Sequence, residues 1–137
     1  KSFSMTGQRR DLNREKFELD KLSLVLKNLD SNANKNLKYL SNAMNIRSKL
    51  KAFHPKTKME CLSNGRSDIV VIKRGSSKDF ILTIHNFTDN KINFRFNENV
   101  KAELFNRDFV LRDFLTDEKY NINNLELDPF QVIWLGF

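Results

Sequence analysis

Two carboxylates four residues apart, Asp113 and Asp117, are the first side chains that could do acid–base chemistry, since proton transfer at a reacting centre calls for a paired acid and base. Arg112 and Lys119 stand beside them, and this mixture of signs reads better as ordinary surface charge. His54 precedes Pro55 at the end of a helical pattern and reads as a capping or packing residue. His85 lies in a strand pattern and reads as a satisfied sheet residue. Cys61 is the single cysteine, which excludes an internal disulfide and offers no metal-ligand spacing; it reads as a small buried thiol beside Met59. The sequence holds no Gly-rich phosphate loop and no His-Glu-x-x-His. No metal or other cofactor is expected, and no catalytic residue is assigned within the chain.

The elements that must position these side chains follow from periodicity. Phe80, Leu82 and Ile84 alternate with Ile81, Thr83 and His85, and Ile69 to Ile72 is a β-branched run, so both segments read as strands. Gly75-Ser76-Ser77-Lys78 between them is a hairpin connection. Further strands are expected at Met59 to Leu62, Lys91 to Phe96 with Ile92, Phe94 and Phe96 inward, Val100 to Phe105, Phe109 to Leu115, Asn121 to Leu127 and Gln131 to Leu135. Asn64-Gly65, Asn86 to Asn90 and Asn106-Arg107-Asp108 are turns. Trp134 sits in an apolar strand and is expected in the core.

Before Pro55 the period is helical. Leu19, Leu22, Leu26 and Leu29 recur on one face with Val25 beside them, and Asp20 or Asp11 could serve as N-cap. Asp30-Ser31-Asn32 breaks this helix and offers caps for a second from about Ala33 to Phe53, striped by Leu37, Leu40, Met44 and Leu50. Lys1 to Arg14 is a polar segment with three arginines within six residues and reads as a structured loop. The fold class is therefore α+β: an N-terminal helical segment, residues 1–56, followed by an antiparallel β-sandwich, residues 57–137.

A chain of 137 residues is about one domain and buries roughly two thirds of its extended surface. No apolar run approaches the ~18 residues needed to cross a bilayer, so no membrane partner is expected. Lys1 to Arg10 lacks the apolar region of a secretory signal, and the true beginning is expected elsewhere. Of the net charge of +7, the first 56 residues carry 13 Lys+Arg against 5 Asp+Glu, and the remainder 11 against 12. The basic residues fall at helix-surface spacing between acids, without aromatic or Gly-rich interleaving. They describe a solvated helical face, and no nucleic-acid partner is expected.

Four phrases stand in one order and spacing: Thr6-Gly7-Gln8-Arg9-Arg10-Asp11-Leu12-Asn13-Arg14-Glu15, Ile46-Arg47 through Ala52-Phe53-His54-Pro55, Leu111-Arg112-Asp113-Phe114-Leu115-Thr116, and Leu127-Asp128-Pro129-Phe130-Gln131-Val132-Ile133-Trp134-Leu135. Together they resemble the C-terminal end of the sucrose phosphorylase-like branch of glycoside hydrolase family 13. The resemblance implies a piece of a larger enzyme, in which the helical segment ends a (β/α)8 barrel and the sandwich is the C-terminal domain. It places the family's catalytic carboxylates on earlier barrel strands, outside this sequence.

For the intact parent it implies a retaining double displacement at an α-glucosyl centre with phosphate as acceptor, carried out in the cytoplasm. It also implies that the loop carrying Arg10, Asn13 and Arg14 reaches the acceptor region, since loops at the C-terminal face of barrel strands build the site and an arginine fork suits phosphate. The implied partners are the rest of the barrel, an α-glucoside and phosphate. Two other classes stay open: a stand-alone carbohydrate-binding sandwich, which needs an exposed aromatic platform, and a basic nucleic-acid-binding module. Without a barrel, the stripe of Leu37, Leu40, Met44 and Leu50 should fold back on the sandwich or pair two chains as a homo-oligomer.

Overall fold

A computed structural model describes residue 7 and residues 18–76, 79–104 and 110–137, with the side chain of residue 103 left aside. It divides into two compact units, Lys1–Ser41 and Asn42–Phe137. Helices precede an antiparallel strand region, as the α+β reading expects. Among the described residues no helix is long and apolar enough to cross a membrane.

In the first unit α1 spans Leu19–Lys27, and α2, spanning Asn32–Lys49, begins there. The cap of α1 corrects the expectation for Asp20, which lies in the first turn; Glu18 takes the N-cap position without a side-chain cap bond and instead pairs with Lys21 at 2.8 Å. Asp11, the other candidate, lies outside the described residues. Ser31 does the expected work between the helices. Its hydroxyl accepts from the Asn34 N–H at 3.1 Å, opening α2, and donates to the carbonyls of Val25 and Asn28. No side chain of α1 is buried, and Leu37, Leu40 and Met44 on α2 are exposed.

The second helix also stops earlier than the sequence pattern. Leu50 is extended, Lys51–Phe53 forms a single 3-10 turn, and His54 is extended again, the conformation that a following proline imposes. That turn leads into eight strands among the described residues: β1 (Met59–Leu62), β2 (Ile69–Arg74), β3 (Ile81–Asn86), β4 (Ile92–Phe94), β5 (Val110–Asp113), β6 (Lys119–Asn121), β7 (Leu125–Leu127) and β8 (Val132–Gly136). Six form one antiparallel sheet in the order β1-β2-β3-β8-β5-β6, and β4 pairs with β7 in a second. Leu82, Ile84, Leu111 and Leu135 from the first sheet and Phe94, Leu125 and Leu127 from the second share one buried core.

The β2–β3 hairpin is in the register that its alternation predicts, with Ile69 opposite Asn86 and Arg74 opposite Ile81. Gly75 takes φ +101° there, and a Cβ at this position would run into the Asp79 carbonyl. Gly75→Ala is therefore expected to cost about 2 kcal/mol, because an L side chain pays both for the left-handed backbone and for the collision. Thermal unfolding of the variant checks this; an unchanged midpoint would mean that the turn relaxes freely.

Two strand expectations fail for identifiable reasons. Val100 to Phe105 is not a strand: Glu98–Leu104 forms α3, started by Asn97, whose side-chain oxygen accepts from the Val100 N–H at 2.8 Å. Val100 and Leu104 sit one helical turn apart against the core, a pair too short to show its period in sequence. Asn121 to Leu127 is not one strand either. The chain turns at Asn121, where the Asn124 N–H reaches the Asn121 carbonyl at 3.1 Å, and passes from the six-stranded sheet to the two-stranded one. The segment after α3 up to β5, including the expected turn at Asn106 to Asp108, lies outside the described residues, and β5 ends at Asp113 rather than Leu115.

Candidate functional site

Arg10, Asn13 and Arg14 lie outside the described residues, so the loop expected to carry them is neither placed nor brought together with other groups. Of that stretch Gly7 alone is described, exposed and with φ +66°. The chemistry that can be placed is in the second unit.

Asp113 is the largest departure from expectation. It is fully buried rather than a surface charge, because it shares its strand face with Leu111 two residues earlier. One carboxylate oxygen accepts from the backbone N–H of Trp134 at 2.7 Å and of Leu115 at 3.2 Å; the other accepts from the Thr116 hydroxyl at 2.8 Å. The Asp113 N–H donates to the Glu118 carbonyl and its carbonyl accepts from the Asp117 N–H, both at 2.8 Å, which closes the β5–β6 turn. Asp117 adopts φ +70° in that turn and forms an exposed ion pair with Arg112. These two carboxylates make no acid–base dyad. One is saturated by protein donors and the other by an arginine.

Tyr120 extends the cluster. Its hydroxyl donates to Glu118 at 3.0 Å and accepts from Gln131 at 3.2 Å; burial above all, aided by the Glu118 charge, pushes the phenol above its ordinary pKa and keeps it protonated.

The histidines behave as their sequence contexts suggest. His54 Nδ1 accepts from the Lys56 N–H at 3.2 Å and the His54 carbonyl accepts from the Thr57 N–H at 2.9 Å, so the residue organises the turn around Pro55. His85 is half-buried on β3, 3.2 Å from the Thr83 hydroxyl, with its ring stacked on Phe87 at 6.0 Å between centroids. Burial lowers its pKa from the usual 6.5. The unfolded chain then binds the proton more readily than the folded one, so the contribution of neutral His85 is complete above about pH 6.5 and is lost as the pH falls below it. Lowering the pH from about 7.5 to about 5 should reduce the unfolding midpoint, and His85→Gln should flatten that dependence; an equal slope in both proteins would assign it to other groups.

Cys61 is exposed on the edge strand, correcting its reading as a buried thiol: it pairs opposite Ile72, on the side of the sheet away from the core. Trp134 is only half-buried on that same side. Phe53 packs on it with ring centroids 4.7 Å apart, and Arg74 lies over Phe53 at 5.6 Å while donating to the Ala52 carbonyl at 3.1 Å. An open cleft of about 720 Å³ beside this joint is lined by Met44, Arg47, Leu50, Lys51, Phe53, His54 and Thr57, among others, with no carboxylate in its described lining. Among the described residues no group of three or more His, Cys, Asp or Glu is placed to hold a metal ion.

No family model and no curated protein matches the sequence. Solved structures do match the fold. The trehalose-6-phosphate hydrolase of Bacillus licheniformis superposes with a TM-score of 0.58 at 16% identity, covering 82% of this chain and 19% of that one. A mutant of the same enzyme in complex with PNG gives 0.51 at 16% identity over 70% of this chain and 17% of that one. The chain thus spans about a fifth of the length of the enzyme whose fold it shares.

Proposed function

We propose that this chain is the C-terminal part of a glycoside hydrolase family 13 enzyme acting on an α-glucoside, and that its sandwich is a non-catalytic domain completing a barrel supplied by the rest of the polypeptide. The observation that carries this reading is the order of elements, helices followed by an antiparallel two-sheet domain, superposing over 82% of the chain on a fifth of a trehalose-6-phosphate hydrolase. Three of the four sequence phrases that resemble the sucrose phosphorylase-like branch fall on described elements, the end of α2 with its 3-10 turn, β5, and the end of β7 with β8; the first lies, but for Gly7, outside the described residues. Exposed Leu37, Leu40 and Met44 are what a helix leaves open when its covering layer lies elsewhere in the polypeptide. In isolation the same stripe is the surface through which two chains would pair.

Within that family the branch resemblance favours phosphorolysis, with Arg10, Asn13 and Arg14 in the acceptor region, where guanidinium groups would hold phosphate by paired N–H donors. A second reading, hydrolysis of a phosphorylated α-glucoside, is favoured by the activity of the structural neighbour, a trehalose-6-phosphate hydrolase. The same arginines would then face the sugar phosphate. The complete polypeptide, supplied with sucrose or trehalose 6-phosphate in phosphate buffer, separates them: α-glucose 1-phosphate marks phosphorolysis, and free glucose without it marks hydrolysis. No turnover of any α-glucoside by the complete polypeptide would overturn both. Arg14→Ala in that polypeptide is expected to weaken acceptor use by about 2 kcal/mol, roughly thirtyfold in kcat/KM, and unchanged acceptor kinetics would remove Arg14 from the site.

A further inference from the structure

Between Asp30 and Glu60 the chain holds seven Lys and Arg residues and no Asp or Glu, so in this run the basic residues do not alternate with acids as the wider pattern suggests. Arg47, Lys49 and Lys51 of that run line the open cleft of about 720 Å³ beside Phe53, whose described lining contains no carboxylate. Cations elsewhere are compensated within the chain. Lys21, Lys58, Arg66, Lys91, Lys101 and Arg112 each form an ion pair, whereas Arg47, Lys49 and Lys51 have no carboxylate partner among the described residues. Nor are these three spent on the end of α2. The Arg47 carbonyl accepts from the Leu50 N–H at 3.3 Å, the Leu50 carbonyl from the Phe53 N–H at 3.0 Å, and the Lys51 carbonyl from the His54 N–H at 3.0 Å and the Thr57 hydroxyl at 3.1 Å. The helix dipole puts only about half a negative charge at this end, which leaves most of three positive charges uncompensated. His54 adds a neutral donor to the same lining: its Nδ1 accepts from the Lys56 N–H at 3.2 Å, so the ring proton of the neutral form is on Nε2.

We propose that this cleft binds a small ligand carrying two or more linked phosphate groups, with Arg47, Lys49 and Lys51 as its cationic partners and the His54 Nε2–H as a further donor. Charge selects the ligand. One phosphate group carries roughly two negative charges, fewer than the three cations present, so a second phosphate completes the match. Shape selects a small molecule over a polymer. The volume lies within the ~300–1,000 Å³ of small-molecule sites, and Phe53, the aromatic ring of the lining, is already engaged by Trp134 and by the Arg74 guanidinium, so it is not a free platform on which successive bases could stack. Met44, Leu50 and Pro55 supply low-dielectric walls, which focus the field of the cations into the opening. The three cations are not equivalent. Lys49 and Lys51 also border an adjoining opening that contains Asp79, while Arg47 lines the carboxylate-free cleft alone and is expected to matter most. All four groups belong to this chain, so binding is independent of any barrel.

The test is calorimetric titration of the 137-residue chain at low ionic strength with inorganic phosphate, pyrophosphate and tripolyphosphate. One ligand per chain is expected, with affinity rising in that order. Arg47→Gln should weaken tripolyphosphate binding about tenfold or more and Lys49→Gln or Lys51→Gln by less, while Lys119→Gln, which removes an exposed cation from β6, should change it less than about twofold. No saturable binding would overturn the site. Equal losses in Arg47→Gln and Lys119→Gln would also overturn it, since they would assign the binding to net charge. A DNA duplex that bound more tightly than tripolyphosphate and lost affinity through the same three substitutions would overturn the choice of ligand in favour of a nucleic acid.

Discussion

Asp113→Ala is expected to lower the unfolding free energy by about 3–5 kcal/mol, because the substitution removes three hydrogen bonds to a charged acceptor and leaves the buried N–H of Trp134 unpaired. For a unit of this size each kcal/mol shifts the midpoint by about 4–8 °C, so the loss should exceed about 12 °C. The graded series matters as much as the endpoint. Asp113→Asn keeps the shape but turns an NH₂ group toward donors, and it should fall between wild type and Asp113→Ala. Thr116→Val removes one bond of the three and should cost about 1 kcal/mol. The single Trp134 borders the node and reports the transition by fluorescence. An Asp113→Ala midpoint within a degree or two of wild type would show that the β5–β6 turn does not depend on this carboxylate.

That node also shows how a sequence can hold an answer without displaying it. Charge neighbours, Arg112 and Lys119, suggested a surface site, but side-chain direction alternates along a strand and Asp113 takes the direction of buried Leu111. Alternation was the better guide here than local charge. Cys61 fails in the converse way: an apolar neighbourhood suggested burial, while its register opposite Ile72 puts it on the outer side of an edge strand. Register is a property of pairing between strands and cannot be read from one strand alone.

Strands were legible where β-branched residues alternate over five or six positions, as in Ile69–Arg74 and Ile81–Asn86. They were not where an element is only about two turns long, as in Glu98–Leu104, or where the chain changes sheets across three residues, as after Asn121. The candidate acceptor residues are a different matter. Arg10, Asn13 and Arg14 were singled out by resemblance alone, and the same resemblance places the family's catalytic carboxylates outside this sequence. No periodicity within 137 residues can supply the geometry of such a site.

The second large effect is expected at Phe94. The β4–β7 ladder has only three rungs, Ile92–Leu127, Asn93–Glu126 and Phe94–Leu125, and a two-stranded ladder of that length does not hold together in water. No backbone ladder joins it to the six-stranded sheet, so its attachment is side-chain packing, in which Phe94 is the largest fully buried residue. Its ring meets Phe96 edge-on at 5.0 Å and fills the space between the sheets. Phe94→Ala should therefore cost about 3–5 kcal/mol, the transfer loss of the ring plus the cavity it leaves. The manner of loss distinguishes this from Asp113→Ala. Backbone amides of Ile92–Phe94 and Leu125–Leu127 should exchange faster in native conditions than those of β2 and β3, because the small sheet can open without breaking a ladder bond to the large one. Phe94→Leu, which restores much of the volume, should recover more than half of the loss. If Phe94→Ala raised exchange uniformly across both sheets instead, the two layers would be one cooperative unit, and the small ladder would owe its persistence to more than the packing of this ring.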